Sequence, residues 1–214
     1  MLPDHDPAQG PDQDLLQRLD RISFPTLGHF LEDGFASHAI RTLVPGLRIV
    51  GRAVTLRLAT PNAFAVNRAI ATLRPGDVLV IDPCGDSAHA AIGAVTGTAL
   101  QCAGARGVVS DGVVTDIAEL GGMRLPVFAR GTSVLTTKKQ EAGGSAVNVP
   151  VQCGGVTVHP GWLVLADDNG VLFLPAEVAA AHVDQALASD QAEPAILARL
   201  RAGEPASAVL QLAP

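Results

Sequence analysis

The sequence contains no run of basic residues, so it lacks the usual electrostatic footprint of a nucleic-acid-binding protein. Its formal net charge is -6, which also disfavours docking on anionic membranes. No apolar stretch is long enough to span a bilayer. Residues 1–14 have neither the basic nor the apolar region of a signal peptide. Three cysteines (Cys84, Cys102 and Cys153) form no CxxC pair, and their odd number argues against a disulfide framework. They read as reduced thiols in a cytoplasmic protein. A nucleophile elbow, a GxxxxGK[ST] phosphate loop and an HExxH zinc motif are all missing.

What is present points to a globular domain. Apolar residues make up 48% of the 214 positions and charged residues 17%, a balance that excludes wholesale disorder and supplies a core. Residues 1–13 read as a disordered leader and residues 14–214 as one domain. Asp14 reads as the cap of a helix carrying Leu15, Leu16, Leu19 and Ile22. A short helix follows Pro25. The alternating run Leu47–Leu58 reads as one or two strands, and Asn62–Leu73 as a helix. Arg74-Pro75-Gly76-Asp77 turns into the strand Val78–Asp82. Ala88–Gly104 reads as a small-residue helix leading into the strand Gly107–Ser110. That strand–helix–strand unit predicts a parallel pair. Leu125–Ala129, Val149–Val158 and Trp162–Leu174 read as further strands, with a hairpin turn at Asp168-Asn169-Gly170. Ala176–Ser189 and Glu193–Ala202 read as two closing helices.

The segment Gly85–Asp116 carries most of the candidate chemistry. Gly85-Asp86-Ser87-Ala88-His89-Ala90-Ala91-Ile92-Gly93 follows a strand and is expected to open a helix, whose free N–H groups bind anions. Asp86 and Ser87 read equally as N-cap residues. His89 reads as a ligand, a proton carrier or a packing residue. Asp111 and Asp116 flank the carboxyl end of the next strand, where open α/β sheets place ligands. Two carboxylates there could hold Mg²⁺ or Mn²⁺. Equally, Asp111-Gly112 is a turn and Asp116 caps Ile117–Leu120. The Thr136–Gly144 segment reads as an exposed loop.

Together these segments resemble the RraA family, which includes class II 4-hydroxy-4-methyl-2-oxoglutarate and 4-carboxy-4-hydroxy-2-oxoadipate aldolases and regulators of ribonuclease E. The likeness runs from about Pro45 to Gly203. Its marks are Gly51-Arg52-Ala53-Val54-Thr55, Pro75-Gly76-Asp77-Val78-Leu79-Val80, Gly107-Val108-Val109 with Asp111-Gly112, Leu125–Gly131, Val149-Pro150-Val151 with Gly154-Gly155-Val156, and Asp167–Val171. The resemblance implies an α/β, three-layer β/β/α swivelling-domain fold, and a homotrimer or hexamer with sites between subunits. It implies a small oxo- or hydroxy-acid substrate held by a divalent metal and an arginine.

The family's aldolase motif is an acidic residue, twenty intervening positions, then Arg-Asp. Its final aspartate falls on Asp116, so the resemblance makes Asp116 the metal position. The arginine falls on Thr115 and the acid on Ala94. The backbone that cradles substrate falls on Gly93-Ala94-Val95-Thr96. The resemblance therefore implies a pyruvate-aldolase or oxaloacetate-decarboxylase ancestry with an altered site. The alternative is a non-catalytic regulatory or binding protein on the same fold. Candidate substitutes are Asp86 and His89 for the acid, and Arg52, Arg124 or Arg130 for the arginine. Glu193 or Glu204 of another subunit is a further candidate.

Overall fold

The computed structural model describes residues 13–210. The leader expected over residues 1–13 falls almost wholly outside them, and Gln13 already opens the first helix. In chain order the elements are α1 (Gln13–Leu19), α2 (Phe24–Leu27), β1 (Arg41–Thr42), β2 (Ile49–Arg57), α3 (Ala63–Ala71), β3 (Asp77–Asp82), α4 (Ala94–Cys102), β4 (Gly107–Ser110), β5 (Val113–Val114) and α5 (Ile117–Met123). They continue with β6 (Val127–Ala129), β7 (Gly131–Thr132), β8 (Ala146–Val147), β9 (Val151–Cys153), β10 (Val156–Val158), β11 (Leu163–Asp167), β12 (Gly170–Leu174), α6 (Ala176–Arg201) and α7 (Ala206–Val209).

The main sheet has the order β1-β6-β4-β3-β2-β11-β12, with β8 pairing β2 off this path. The expected parallel pair is present, in the register Val78↔Gly107 to Ile81↔Ser110. β2, β3, β4 and β6 run parallel, while β1, β11 and β12 are antiparallel to their neighbours. The two edges nearly meet. Phe35 bridges Leu172 on the β12 edge, and Arg41–Thr42 then pairs with β6 on the other edge.

Alternation along the strands sends side chains to two faces. One face presents Val54, Leu56, Leu79, Ile81, Val108 and Val127 to α3, α4 and α5. The other presents Val78, Val80, Val109, Phe128 and Phe173 to a core closed by Val151, Cys153 and Val158 of the β9–β10 hairpin. Helix layer, sheet and second β layer make the α/β, three-layer β/β/α arrangement. A third cluster packs α1, α2 and α6 against Leu163, Leu165, Leu172 and Leu174.

Four local expectations are corrected. Ala88–Gly93 is not helical, and α4 begins only at Ala94. Ala90 instead accepts and donates backbone hydrogen bonds with the Leu135–Thr137 segment, so tertiary pairing overrides the helix propensity of the alanines. The two closing helices are one, with Pro194 inside α6. Good helix formers on both sides let the helix absorb the one hydrogen bond that proline removes. Asp14 lies in the first turn of α1 rather than before it. Ile22 lies beyond the helix end but is buried all the same. Leu47–Leu58 forms a single strand, and Asp168-Asn169 joins β11 to β12 as expected.

Candidate functional site

The site is built where β3 and β4 end and α4 begins. The run from Ala90 to Thr115 folds so that two segments lie side by side. Ala91 N–H donates to Val113 O at 3.3 Å, and Thr115 N–H donates to Ile92 O at 2.8 Å. On its other edge Ala90 N–H donates to Leu135 O at 2.8 Å. Ala94 and Thr115, the two departures from the aldolase motif, thus stand on adjoining segments.

Asp116 has φ 54° and occupies the N-cap position of α5, yet its side chain makes no capping bond to that helix. The left-handed backbone turns the carboxylate away. Oδ2 accepts the Ala94 N–H at 2.8 Å, so Asp116 caps α4 instead. Oδ1 accepts the Thr115 hydroxyl at 3.2 Å. Gly93 makes room for this. A Cβ there would lie 2.6 Å from Asp116 Oδ2 and 2.8 Å from Thr115 Cγ2. A Cβ at Gly97, one turn on, would likewise lie 2.5 Å from Leu120 Cδ2 of α5.

The first turn of a helix has four N–H groups without intrahelical partners. At α4, Gly93 N–H donates to Thr96 Oγ1 at 2.8 Å and Ala94 N–H to Asp116. Among the described residues, no acceptor meets the Val95 N–H. It is the group that the helix dipole makes attractive to a carboxylate.

The auxiliary candidates separate into bound and available groups. Asp111 is committed. Its Oδ1 accepts Arg130 Nε at 2.9 Å, Arg130 Nη2 at 2.7 Å and Gly154 N–H at 3.0 Å. That removes Asp111 from the metal candidates and Arg130 from the substitutes for arginine. Arg52 pairs with the buried Asp77 at the opposite end of the parallel strands. Arg124 closes the far end of α5, beside Met123, whose carbonyl accepts from Gln101 near the end of α4. Glu204 is paired with Arg199.

Asp86 does not cap a helix. Its Oδ1 accepts Ala88 N–H at 2.9 Å and His89 N–H at 3.1 Å, closing a tight loop, and its Oδ2 lies 2.7 Å from His89 Nδ1. Burial pushes the Asp86 carboxyl up, but these two backbone bonds and the imidazole outweigh it and hold the group below its usual range. Asp86 is therefore consumed in holding His89.

Of the carboxylates singled out from the sequence, Asp116 is the one left at the α4 end. Among the described residues, no three His, Cys, Asp or Glu side chains are grouped to hold a metal ion. Asp116 already accepts two hydrogen bonds, one of them at the positive end of α4. This donor set does not fit a resident Mg²⁺ or Mn²⁺.

The profile of the RraA-like family (Aldolase/RraA) matches residues 20–173, most of the chain. The chain belongs to the RraA-like family. A Halalkalibacterium halodurans protein provisionally named a 4-hydroxy-4-methyl-2-oxoglutarate aldolase is 37% identical to this RraA-like chain over 136 residues. The match spans 64% of each of the two proteins. A crystal structure of a Pseudomonas syringae pv. tomato protein superposes on this fold with a TM-score of 0.81. The two are 26% identical, with 94% of this chain and 98% of that one covered. A Streptomyces coelicolor protein, described as an unusual member of the RNase ES inhibitor RraA protein family, superposes with a TM-score of 0.76 at 28% identity. It covers 87% of this chain and 96% of its own.

Sequence reasoning placed Gly93–Thr96, Thr115 and Asp116 in one region, and the fold brings them together. It missed that Asp116 caps α4. That contact spans 22 positions and leaves no local signature. The Thr96 hydroxyl bond to Gly93 N–H was legible as half of a capping box.

Proposed function

We propose that this RraA-like protein binds a small 2-oxo- or hydroxy-acid at the N-terminus of α4 but is a poor pyruvate aldolase. On this reading it derives from a divalent-metal-dependent pyruvate aldolase or oxaloacetate decarboxylase. The single observation that carries the reading is the Asp116–Ala94 contact. It retains the family's aspartate at the helix end while leaving the Val95 N–H to meet a carboxylate. The relatives' provisional aldolase names support the same ligand class.

The chemistry beyond binding is weakened. Cleaving a bond next to a ketone leaves an enolate, which an arginine stabilises by a charge-assisted, forked contact. Thr115 offers one neutral hydroxyl, already donated to Asp116. Losing one such donor costs ~10²–10³ in rate. Ala94 brings no second charge, so Mg²⁺ or Mn²⁺ at Asp116 would be held weakly. Assaying the protein with 4-hydroxy-4-methyl-2-oxoglutarate and oxaloacetate, with Mg²⁺ and Mn²⁺, tests this reading. Little pyruvate together with measurable oxalate binding supports it, and rapid turnover contradicts it.

The second reading is a non-catalytic regulatory protein, such as a ribonuclease E regulator-like protein. The absent motif side chains favour it, as does the structural likeness to the Streptomyces coelicolor protein. It is favoured over the first if oxalate and pyruvate fail to bind. Either way, we place the protein in the cytoplasm as a homotrimer or hexamer. Val95, Val134, Leu135 and Ile117 are exposed large apolar side chains, and they lie on the α4 and α5 ends and on the segment paired to Ala90. Among the described residues, no helix is long and apolar enough to cross a membrane.

A further inference from the structure

In the parallel crossovers the helices run against the strands, so α3, α4 and α5 end where β3, β4 and β6 begin. An arginine stands in each connection: Arg74 before β3, Arg106 before β4 and Arg124 before β6. β3 pairs with β4 and β4 with β6, so the connections lie in a row along this edge. They are fastened to one another. Gly76 N–H donates to Gly104 O at 2.9 Å, Arg106 N–H to Asp77 O at 2.7 Å, and Gln101 Nε2 to Met123 O at 2.8 Å. The three arginines are exposed, and among the described residues their guanidiniums meet no carboxylate. A basic residue past a helix end often serves the helix dipole. These three donate to none of the last helical carbonyls. The connections hold one carboxylate, Asp77, which is buried and paired with Arg52. The chain as a whole carries a formal net charge of -6, so the row is a cationic island on an acidic protein.

We propose that Arg74, Arg106 and Arg124 form a docking surface for an acidic, extended segment of another polypeptide. Neighbouring strands lie about 4.8 Å apart, so three arginines on flexible stems cover a row of roughly 10–15 Å. Carboxylates on one side of an extended chain recur every ~7 Å, so three of them cover the same length. Guanidiniums bind carboxylates through paired N–H donors, and the fastened connections hold the row in place before a partner arrives. A long polyanion such as a nucleic acid fits less well, because the acidic remainder of the chain repels whatever runs past the row. This edge is the end of the sheet opposite Asp82 and Asp116, so the surface is separate from the α4 site and independent of the reading above.

The test is calorimetric titration of the full chain with a synthetic peptide bearing glutamate at every second position over about seven residues. Wild type is expected to bind it in low salt and to lose it in high salt. The same peptide with glutamine for glutamate should not bind. Arg106→Gln should weaken binding about three-fold, the worth of one exposed ion pair, and Arg74→Gln, Arg106→Gln and Arg124→Gln together about thirty-fold. Lys139→Gln with Arg201→Gln removes charge from elsewhere and should bind as wild type does. Phenylglyoxal labelling of the wild type guards against a misfolded variant. Read by mass spectrometry, labelling of Arg74, Arg106 and Arg124 should be slowed by the peptide, and that of Arg201 should not. Unchanged binding by the triple variant, or an equal loss in the Lys139 and Arg201 variant, overturns the proposal. So does tighter binding of a thymidine oligonucleotide, which would assign the row to nucleic acid. A lower assembly mass for the triple variant in light scattering overturns it as well, because a second copy of the chain would then cover the row.

Discussion

The Asp116 carboxylate accepts the Ala94 N–H at 2.8 Å, so a residue at the head of α5 caps α4. Two helices are joined at their positive ends by one residue, whose backbone heads α5 and whose side chain caps α4. On the proposed reading that junction also holds the ligand, so a change that loosens the cap is expected to weaken binding as well.

Gly93→Ala is the sharpest test of the junction. The new methyl would meet Asp116 Oδ2 at 2.6 Å and Thr115 Cγ2 at 2.8 Å, neither of which is the free end of a long side chain. We expect a loss of about 1–3 kcal/mol in urea unfolding, the usual cost of overpacking. Asp116→Ala should cost about 0.5–2 kcal/mol, as the loss of a helix cap does. A Gly93→Ala protein as stable as wild type would mean that the carboxylate does not sit against the backbone.

Asp86 gives a pH prediction of definite sign. Its folded value is held below the ordinary one. It therefore contributes stability above the unfolded aspartate value, about 3.9, and loses it as pH falls through the lower folded value. Asp86→Asn should be less stable than wild type at pH 7, with the gap closing below about pH 4. Melting curves across that range check it, and a gap that widens in acid contradicts it.

Much of this fold was legible in the sequence because the central strands are short apolar runs and the turns between elements carry glycine. Val78–Asp82 and Gly107–Ser110 pair as expected, and the helix expected over Asn62–Leu73 forms at Ala63–Ala71, with Asn62 as its cap rather than its first residue. Reading failed where the deciding partner lies far along the chain. Ala88–Gly93 has helical composition, but Ala90 pairs with Leu135 and Thr137. Asp111 looked like a metal ligand until Arg130 and Gly154 folded onto it. Local pattern cannot reveal either contact.

The assembly prediction follows from exposed apolar side chains near the site. Val95 is 84% exposed and Val134 98% exposed, the two most exposed large apolar side chains among the described residues. Light scattering at micromolar concentration is expected to give three or six times the chain mass of 21.9 kDa. Val95→Asp and Val134→Asp should shift that mass downward. A wild-type monomer would contradict the assembly.

The central claim is that Thr115 and Ala94 leave a site that binds but barely cleaves. The measurement that tests it most directly is pyruvate release from 4-hydroxy-4-methyl-2-oxoglutarate with Mg²⁺ or Mn²⁺. It compares wild type, Thr115→Arg, Ala94→Asp and the double mutant. Both replaced groups act on the same enolate and metal, so their effects should not simply add. The account predicts little release by wild type, and a double mutant faster than the two single changes combine to suggest. A wild type that already matches the double mutant would contradict it, because another cation would then be doing the arginine's work.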